Sequence, residues 1–154
     1  MRPHVVVAGG GFAGLRVARR VARTSGRGVE VVLVDRSPYH TLRPKLPQAI
    51  GGRIRCAVHV PIAPLLEREG VRCLTRTVTR IDPRSRTVEW DGGSVSGDIL
   101  VLALGGEARV PPGLVEPPEA ALPVWTFQQA CALRRRVEFL LAAARQGRPA
   151  DLSV

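Results

Sequence analysis

Residues 5–24 read VVVAGGGFAGLRVARRVART, an apolar run that breaks into three adjacent glycines, with a fourth after two more residues. The β-branched run is the pattern of a strand buried on both faces in a parallel sheet. Gly9, Gly11 and Gly14 have the spacing G-x-G-x-x-G, and beyond them Leu15, Ala18, Val21 and Ala22 recur among arginines at helical spacing. Ser25-Gly26-Arg27-Gly28 ends that helix, and VEVVLVD at 29–35 reads as a second buried strand. Strand, glycine turn, helix and strand in this order make a βαβ unit. Gly9 allows a tight turn off the strand, Gly11 a close approach of the backbone to a pyrophosphate, and Gly14 close packing of helix on strand. The free N–H groups and positive dipole of the helix start then face the phosphates. Asp35 lies roughly 20 residues beyond Gly14, where a carboxylate accepts hydrogen bonds from both hydroxyls of an adenosine ribose. A carboxylate there repels a 2′-phosphate, which favours a dinucleotide with a free 2′-hydroxyl, although Arg36 beside it weakens that preference.

The chain has 154 residues, 45% apolar and 23% charged, enough for one ordinary domain with its own core. Its net charge of +10 raises the question of nucleic acid. All but one of the 23 basic residues are arginines scattered along the chain, and the few aromatics lack the interleaving of a base-stacking platform, so nucleic-acid binding is not expected. No apolar run reaches the ~18 residues of a membrane helix, and the opening MRPHVVVAGG breaks into glycines before a signal-peptide core forms. A cytoplasmic protein with no integral membrane segment is expected. Cys56, Cys73 and Cys131 are far apart, with no C-x-x-C, and read as reduced thiols in apolar space rather than metal ligands.

After Asp35, RSPYHTLRPKLPQAIGG is neither a clean helix nor a clean strand, and PIAPLLEREG at 61–70 reads as a short helix. VRCLTRTVTRID at 71–82 reads as one long strand, RTVEW as another, and SVSGDILVLALGG as a final strand. Antiparallel strands inserted before a buried apolar strand are unlike a simple NAD-binding domain. The order GGGFAGL, VVLVD, PYHTLRPKLPQAIGG, TVTRIDPRSRTVEW and DILVLALGG resembles the N-terminal flavin-binding half of two-dinucleotide-domain flavoprotein oxidoreductases. Among these it is most similar to the type II NADH dehydrogenases, over nearly all of residues 4–146.

That resemblance implies an α/β, Rossmann-like FAD-binding domain with a parallel sheet, an inserted antiparallel meander and a C-terminal helix, spanning residues 1–146. It implies that Gly9, Gly10, Gly11, Phe12, Ala13 and Gly14 border the FAD pyrophosphate, and that Asp35 and Arg36 hold the adenosine end. Val78 would meet the adenine through its backbone, and Ala103, Leu104 and Gly105 would sit against FAD where relatives often carry A-T-G. Leu104 departs from that threonine, so a hydroxyl contact is not expected there. Disulfide reductases of the same superfamily carry a redox cysteine pair shortly after the acidic residue, and residues 36–52 hold no cysteine, which disfavours disulfide reduction. Arg43, Lys45, Tyr39 and His40 fall where the chain would pass near the flavin ring. The plainer reading of all four, as packing or solvated loop residues, is preferred.

Thr126 and Gln129 fit a capping box, and Phe127, Ala130, Leu133, Val137, Leu140, Leu141 and Ala144 form an apolar stripe read as core packing. Residues 147–154 would begin a strand toward an NADH-binding domain, whose second glycine fingerprint the sequence does not contain. The expectation is therefore the FAD-binding portion of an NADH:quinone oxidoreductase-like enzyme, incomplete for catalysis by itself. NADH would be the electron donor where a second domain or chain supplies its site, and the complete enzyme would lie at the membrane periphery. The alternative is a non-catalytic module binding NAD or another adenine dinucleotide.

Overall fold

The computed structural model describes residues 2–52, 58–108 and 122–146. They divide into two compact units, Met1–His40 with Val60–Gly105, and Thr41–His59 with Gly106–Val154.

The first unit is built on β1 (His4–Ala8), which runs parallel to β2 (Glu30–Asp35) on one side and to β9 (Ile99–Leu102) on the other. With β5 (Arg72–Thr75) outside β2, the parallel sheet has the order β5-β2-β1-β9. Side chains alternate across a strand, so successive valines of β1 need cover on both faces. Helix α1 (Phe12–Ser25) brings Ala18 and Ala22 against Val5, Val7, Val31 and Leu33 on one face, joined by Ile62 and Leu66 of α3 (Ile62–Leu66). On the other, Val6 and Ala8 pack with Val88, Val78, Val95 and Leu100. Three of these come from an antiparallel meander of β6 (Val78–Asp82), β7 (Thr87–Trp90) and β8 (Gly93–Ser96). Each fully buried valine contributes about 1.5–3 kcal/mol, which makes this central strand the anchor of the unit.

The expected βαβ unit, the helix within 61–70 and the inserted meander are all present. Two strand readings are corrected. The stretch 71–82 is two strands: Arg76 N–H still reaches the Asp35 carbonyl at 2.8 Å, after which the chain leaves the parallel sheet for the meander. The stretch 94–106 is likewise divided at Gly97 and Asp98. A Cβ on Gly97 would lie 2.7 Å from the His4 carbonyl oxygen, while Asp98 exchanges hydrogen bonds with His4 in both directions at 2.8 Å. The segment after Asp35 is more regular than expected: β3 (Tyr39–Thr41) pairs with β4 (His59–Pro61), and a 3-10 turn at Arg43–Lys45 leads into α2 (Leu46–Ile50).

In the second unit, Leu46 and Ala49 of α2 form a small core with Val58 and with Ala130 of α4 (Phe127–Arg145). The guanidinium of Arg43 lies over the Trp125 ring at 4.3 Å, and Arg134 pairs with Glu138 at 2.7 Å. The capping box at Thr126 and Gln129 is formed. The apolar stripe is core only near its start: Ala130 is buried, whereas Val137 and Leu141 are 37% and 50% exposed. Cys56 and residues 147–154, for which a thiol in apolar space and a linker were expected, lie outside the described residues.

Candidate dinucleotide site at the glycine turn

Where β1 ends, Gly9 adopts φ 109°, and its N–H donates to the Val34 carbonyl at 2.8 Å, so the turn stays tied to β2. A side chain is excluded there twice over. The left-handed backbone is strained for any other residue, and a Cβ would stand 2.2 Å from the Ala103 carbonyl oxygen. A Cβ on Gly14 would lie 1.7 Å from the Gly9 carbonyl oxygen, which is what lets the first turn of α1 rest on the strand end. Gly11 differs from both: it is exposed, and nothing lies within 4 Å of the place its Cβ would take.

Gly11 is also the N-cap of α1, and being glycine it has no side chain to cap with. The first intrahelical bond runs from Leu15 N–H to the Gly11 carbonyl at 3.0 Å. By helix geometry the N–H groups before it lack partners within the helix. No acidic residue lies in the first turn and Arg23 lies in the last, so the positive end of the helix is uncompensated by its own sequence. The result is a set of donors in a positive field, reached across a residue that leaves space open.

Asp35, half-buried at the end of β2, completes the arrangement. Its Oδ2 accepts from Gly10 N–H, and its Oδ1 accepts from Ser37 N–H at 2.7 Å. Each carboxylate oxygen retains a second acceptor direction, so the side chain is fixed by the backbone while still able to accept from hydroxyls. Gly10 is confined by the same packing: a Cβ there would meet Ile62 Cδ1 at 2.6 Å. Arg36, next in the chain, is exposed.

Of the other sequence-derived residues, Ala103 closes the turn, its N–H donating to the Ala8 carbonyl at 2.8 Å. Leu104 is 57% exposed, and Gly105 takes φ 73°. Val78 packs with Val6, Ala8 and Val88. Two further residues meet the turn: Ile62, which the sequence did not single out, and His40, for which a packing or loop role was preferred. Ile62 abuts Gly10, and His40 is buried with Nδ1 3.1 Å from the Gly10 carbonyl oxygen and its ring edge-on to Phe12 at 4.6 Å. Neither follows from a spacing rule of the kind that places the acidic strand end. An open groove of about 1320 Å³ runs along α1 past Phe12, Arg16, Arg20, His40 and Leu65, but Gly11 and Asp35 are not part of its lining.

Residues 3–141 match the family described as pyridine nucleotide-disulphide oxidoreductase. The chain is 33% identical over 106 residues to a type II NADH:quinone oxidoreductase of Staphylococcus aureus, covering 68% of this chain and 26% of that protein. It is 34% identical over 107 residues to a sulfide-quinone reductase of Aquifex aeolicus, covering 68% and 25%. The solved sulfide:quinone oxidoreductase of Aquifex aeolicus superposes with a TM-score of 0.77 at 27% identity, over 91% of this chain and 32% of that one. The NDH2 structure from Plasmodium falciparum shares the fold with a TM-score of 0.80 at 16% identity, over 99% and 31%. The chain thus spans about a quarter of the length of these curated relatives. By the family match across most of its length, with the glycine turn and parallel sheet just described, the chain belongs to the pyridine nucleotide-disulphide oxidoreductase family.

Proposed function

We propose that this chain is the FAD-binding portion of an NAD(P)H-dependent flavoprotein oxidoreductase of the NADH:quinone oxidoreductase kind. The observation that carries the reading is the uncapped start of α1 beside a carboxylate already fixed by Gly10 and Ser37. Those donors suit a pyrophosphate, the open space at Gly11 suits its close approach, and the remaining acceptor directions of Asp35 suit the ribose hydroxyls. Gly9 to Gly14, including Phe12 and Ala13, would border the pyrophosphate, with Asp35 and Arg36 at the adenosine end. Val78, Ala103, Leu104 and Gly105 would border the rest. FAD bound there supplies the redox chemistry, while the protein binds, orients and tunes it.

Two relatives carry quinone in their names, which supports a quinone as acceptor for the complete assembly. A disulfide acceptor has less support. The sequence has no cysteine between 36 and 52, and burial, with the charge of Glu67, raises the Cys73 thiol above its ordinary pKa and keeps it protonated. The NADH site is assigned to a second domain or partner chain, because the sequence contains one glycine fingerprint. Association with a membrane would be peripheral. Among the described residues no helix is long and apolar enough to cross one.

Titration with FAD, followed by visible absorption and calorimetry, tests the reading, with Asp35→Ala alongside. A bound flavin band that weakens in the variant is the expected result. Tight NAD binding without flavin binding would instead support the adenine-dinucleotide module, which the same carboxylate and glycine turn would serve. Absence of binding to either would overturn both.

A further inference from the structure

Gly10 is gripped from two sides. Its N–H donates to the Asp35 carboxylate, and its carbonyl faces His40 Nδ1 at 3.1 Å. A carbonyl oxygen only accepts, so Nδ1 carries the proton and His40 is the donor. His40 is the buried polar side chain among the described residues, at 6% exposure, and its ring stands nearly perpendicular to that of Phe12, at 87°. Burying an imidazole in this way calls for a role, since buried polar groups are retained where they make a specific hydrogen bond.

We propose that His40 is a positioning residue for the dinucleotide site, an inference that rests on the function proposed above. In a trans peptide the carbonyl of Gly10 and the N–H of Gly11 point in opposite directions. Holding the carbonyl therefore fixes the Gly11 N–H, directing it away from His40. The hold matters because Gly9, Gly10 and Gly11 are consecutive, and glycine has the greatest backbone freedom of any residue. A run of three would let this peptide rotate at little cost, and donors that rotate do not make a preorganised anion site. Asp35 fixes the peptide before Gly10, and His40 fixes the one after it.

The test compares FAD affinity in the wild type, His40→Asn, His40→Gln and His40→Leu, with urea unfolding in parallel. The amide nitrogen of asparagine occupies the place of Nδ1, whereas that of glutamine corresponds to Nε2. Leu and Gln are expected to weaken FAD binding about fivefold to tenfold, as for loss of one hydrogen bond, with Asn within about twofold of wild type. A packing role would instead rank Gln at or above Asn, because Gln better matches the volume of histidine. In ¹⁵N NMR spectra of the wild type, His40 should appear as the Nδ1–H tautomer. Gln binding as tightly as Asn, Leu binding like wild type, or an Nε2–H tautomer would overturn the proposal. If His40→Leu does not fold, the Asn and Gln pair and the tautomer still decide. Wild-type protein without FAD affinity overturns the site reading and the role of His40 with it. Wild-type binding with all variants equal overturns only the role of His40.

Discussion

The two long helices begin in opposite ways. At the start of α4, Thr126 accepts from Gln129 N–H at 3.2 Å, while Gln129 Oε1 accepts from the N–H groups of Thr126 and Trp125 at 2.9 Å. Those donors are satisfied by the chain itself. At the start of α1 the N-cap is Gly11, with no side chain to offer. Glycine ranks only a few tenths of a kcal/mol, roughly, below threonine as an N-cap, so α1 gives up little stability and lacks mainly the side-chain acceptor that would occupy its first N–H groups. The start of α4 is complete within the chain, whereas the open start of α1 beside a fixed carboxylate suits the dinucleotide proposed above.

The sharpest way to break this comparison is to substitute within the glycine turn itself. Gly14→Val should lose at least about 4 kcal/mol or fail to fold, because the new Cβ would overlap the Gly9 carbonyl and backbone cannot yield cheaply. Urea unfolding or soluble yield reads this, and a stable Gly14→Val protein would refute the packing role. Gly11→Ala should behave in the reverse sense. It meets no steric obstacle, so stability should change by no more than about 1 kcal/mol, while FAD affinity drops by more than about tenfold.

Asp35→Ala should lower both quantities. Removing the acceptor leaves the Gly10 and Ser37 N–H groups without it, at about 1–3 kcal/mol, and FAD binding should weaken with it. Unchanged affinity would detach the carboxylate from the ligand. Exchanging the two helix starts sharpens the contrast further. Thr126→Ala should destabilise by about 1 kcal/mol without affecting FAD, whereas Gly11→Ser should change stability by only a few tenths of a kcal/mol, roughly, and weaken FAD by occupying its donors.

The smallest effect concerns pH. His59 lies against Phe127, the first residue of α4, with ring centroids 4.4 Å apart, and burial lowers its pKa below the ordinary histidine value. Above that ordinary value both folded and unfolded states are neutral at this site, so stability is flat. As pH falls through it the unfolded chain takes up the proton first, and stability declines until the lowered folded pKa is passed. His59→Gln should flatten that decline in acid unfolding curves, and an unchanged slope would assign it to other groups.

Much of the candidate site was legible in the sequence because its parts belong to one compact pattern of strand, glycine turn, helix and acidic strand end. The three glycine positions, the acidic strand end and the helix between them follow from neighbouring sterics and from two periodicities. His40 and Ile62 were not legible as parts of the turn, since no spacing rule of the kind that places the acidic strand end puts either beside Gly10. The stripe on α4 shows the converse. Its spacing is helical along its length, yet Val137 and Leu141 stay exposed while Ala130 is buried, because periodicity states which residues share a face and not whether anything covers it.

The sequence by itself determined the βαβ unit, the glycine turn, the position of Asp35 and the capped start of α4. The turn and the capped helix start depend on atoms a few residues apart, while the βαβ unit and Asp35, which meets Gly10 from the end of β2, follow from a strand, helix and strand of standard lengths. Only the tertiary structure decided that 71–82 divides between two sheets, that 94–106 divides at Gly97, and that His40 holds the Gly10 carbonyl. A strand's alternation is the same in either sheet, and a hydrogen bond across the fold exists only once distant segments have packed. Partner surfaces, not local patterns, made those choices.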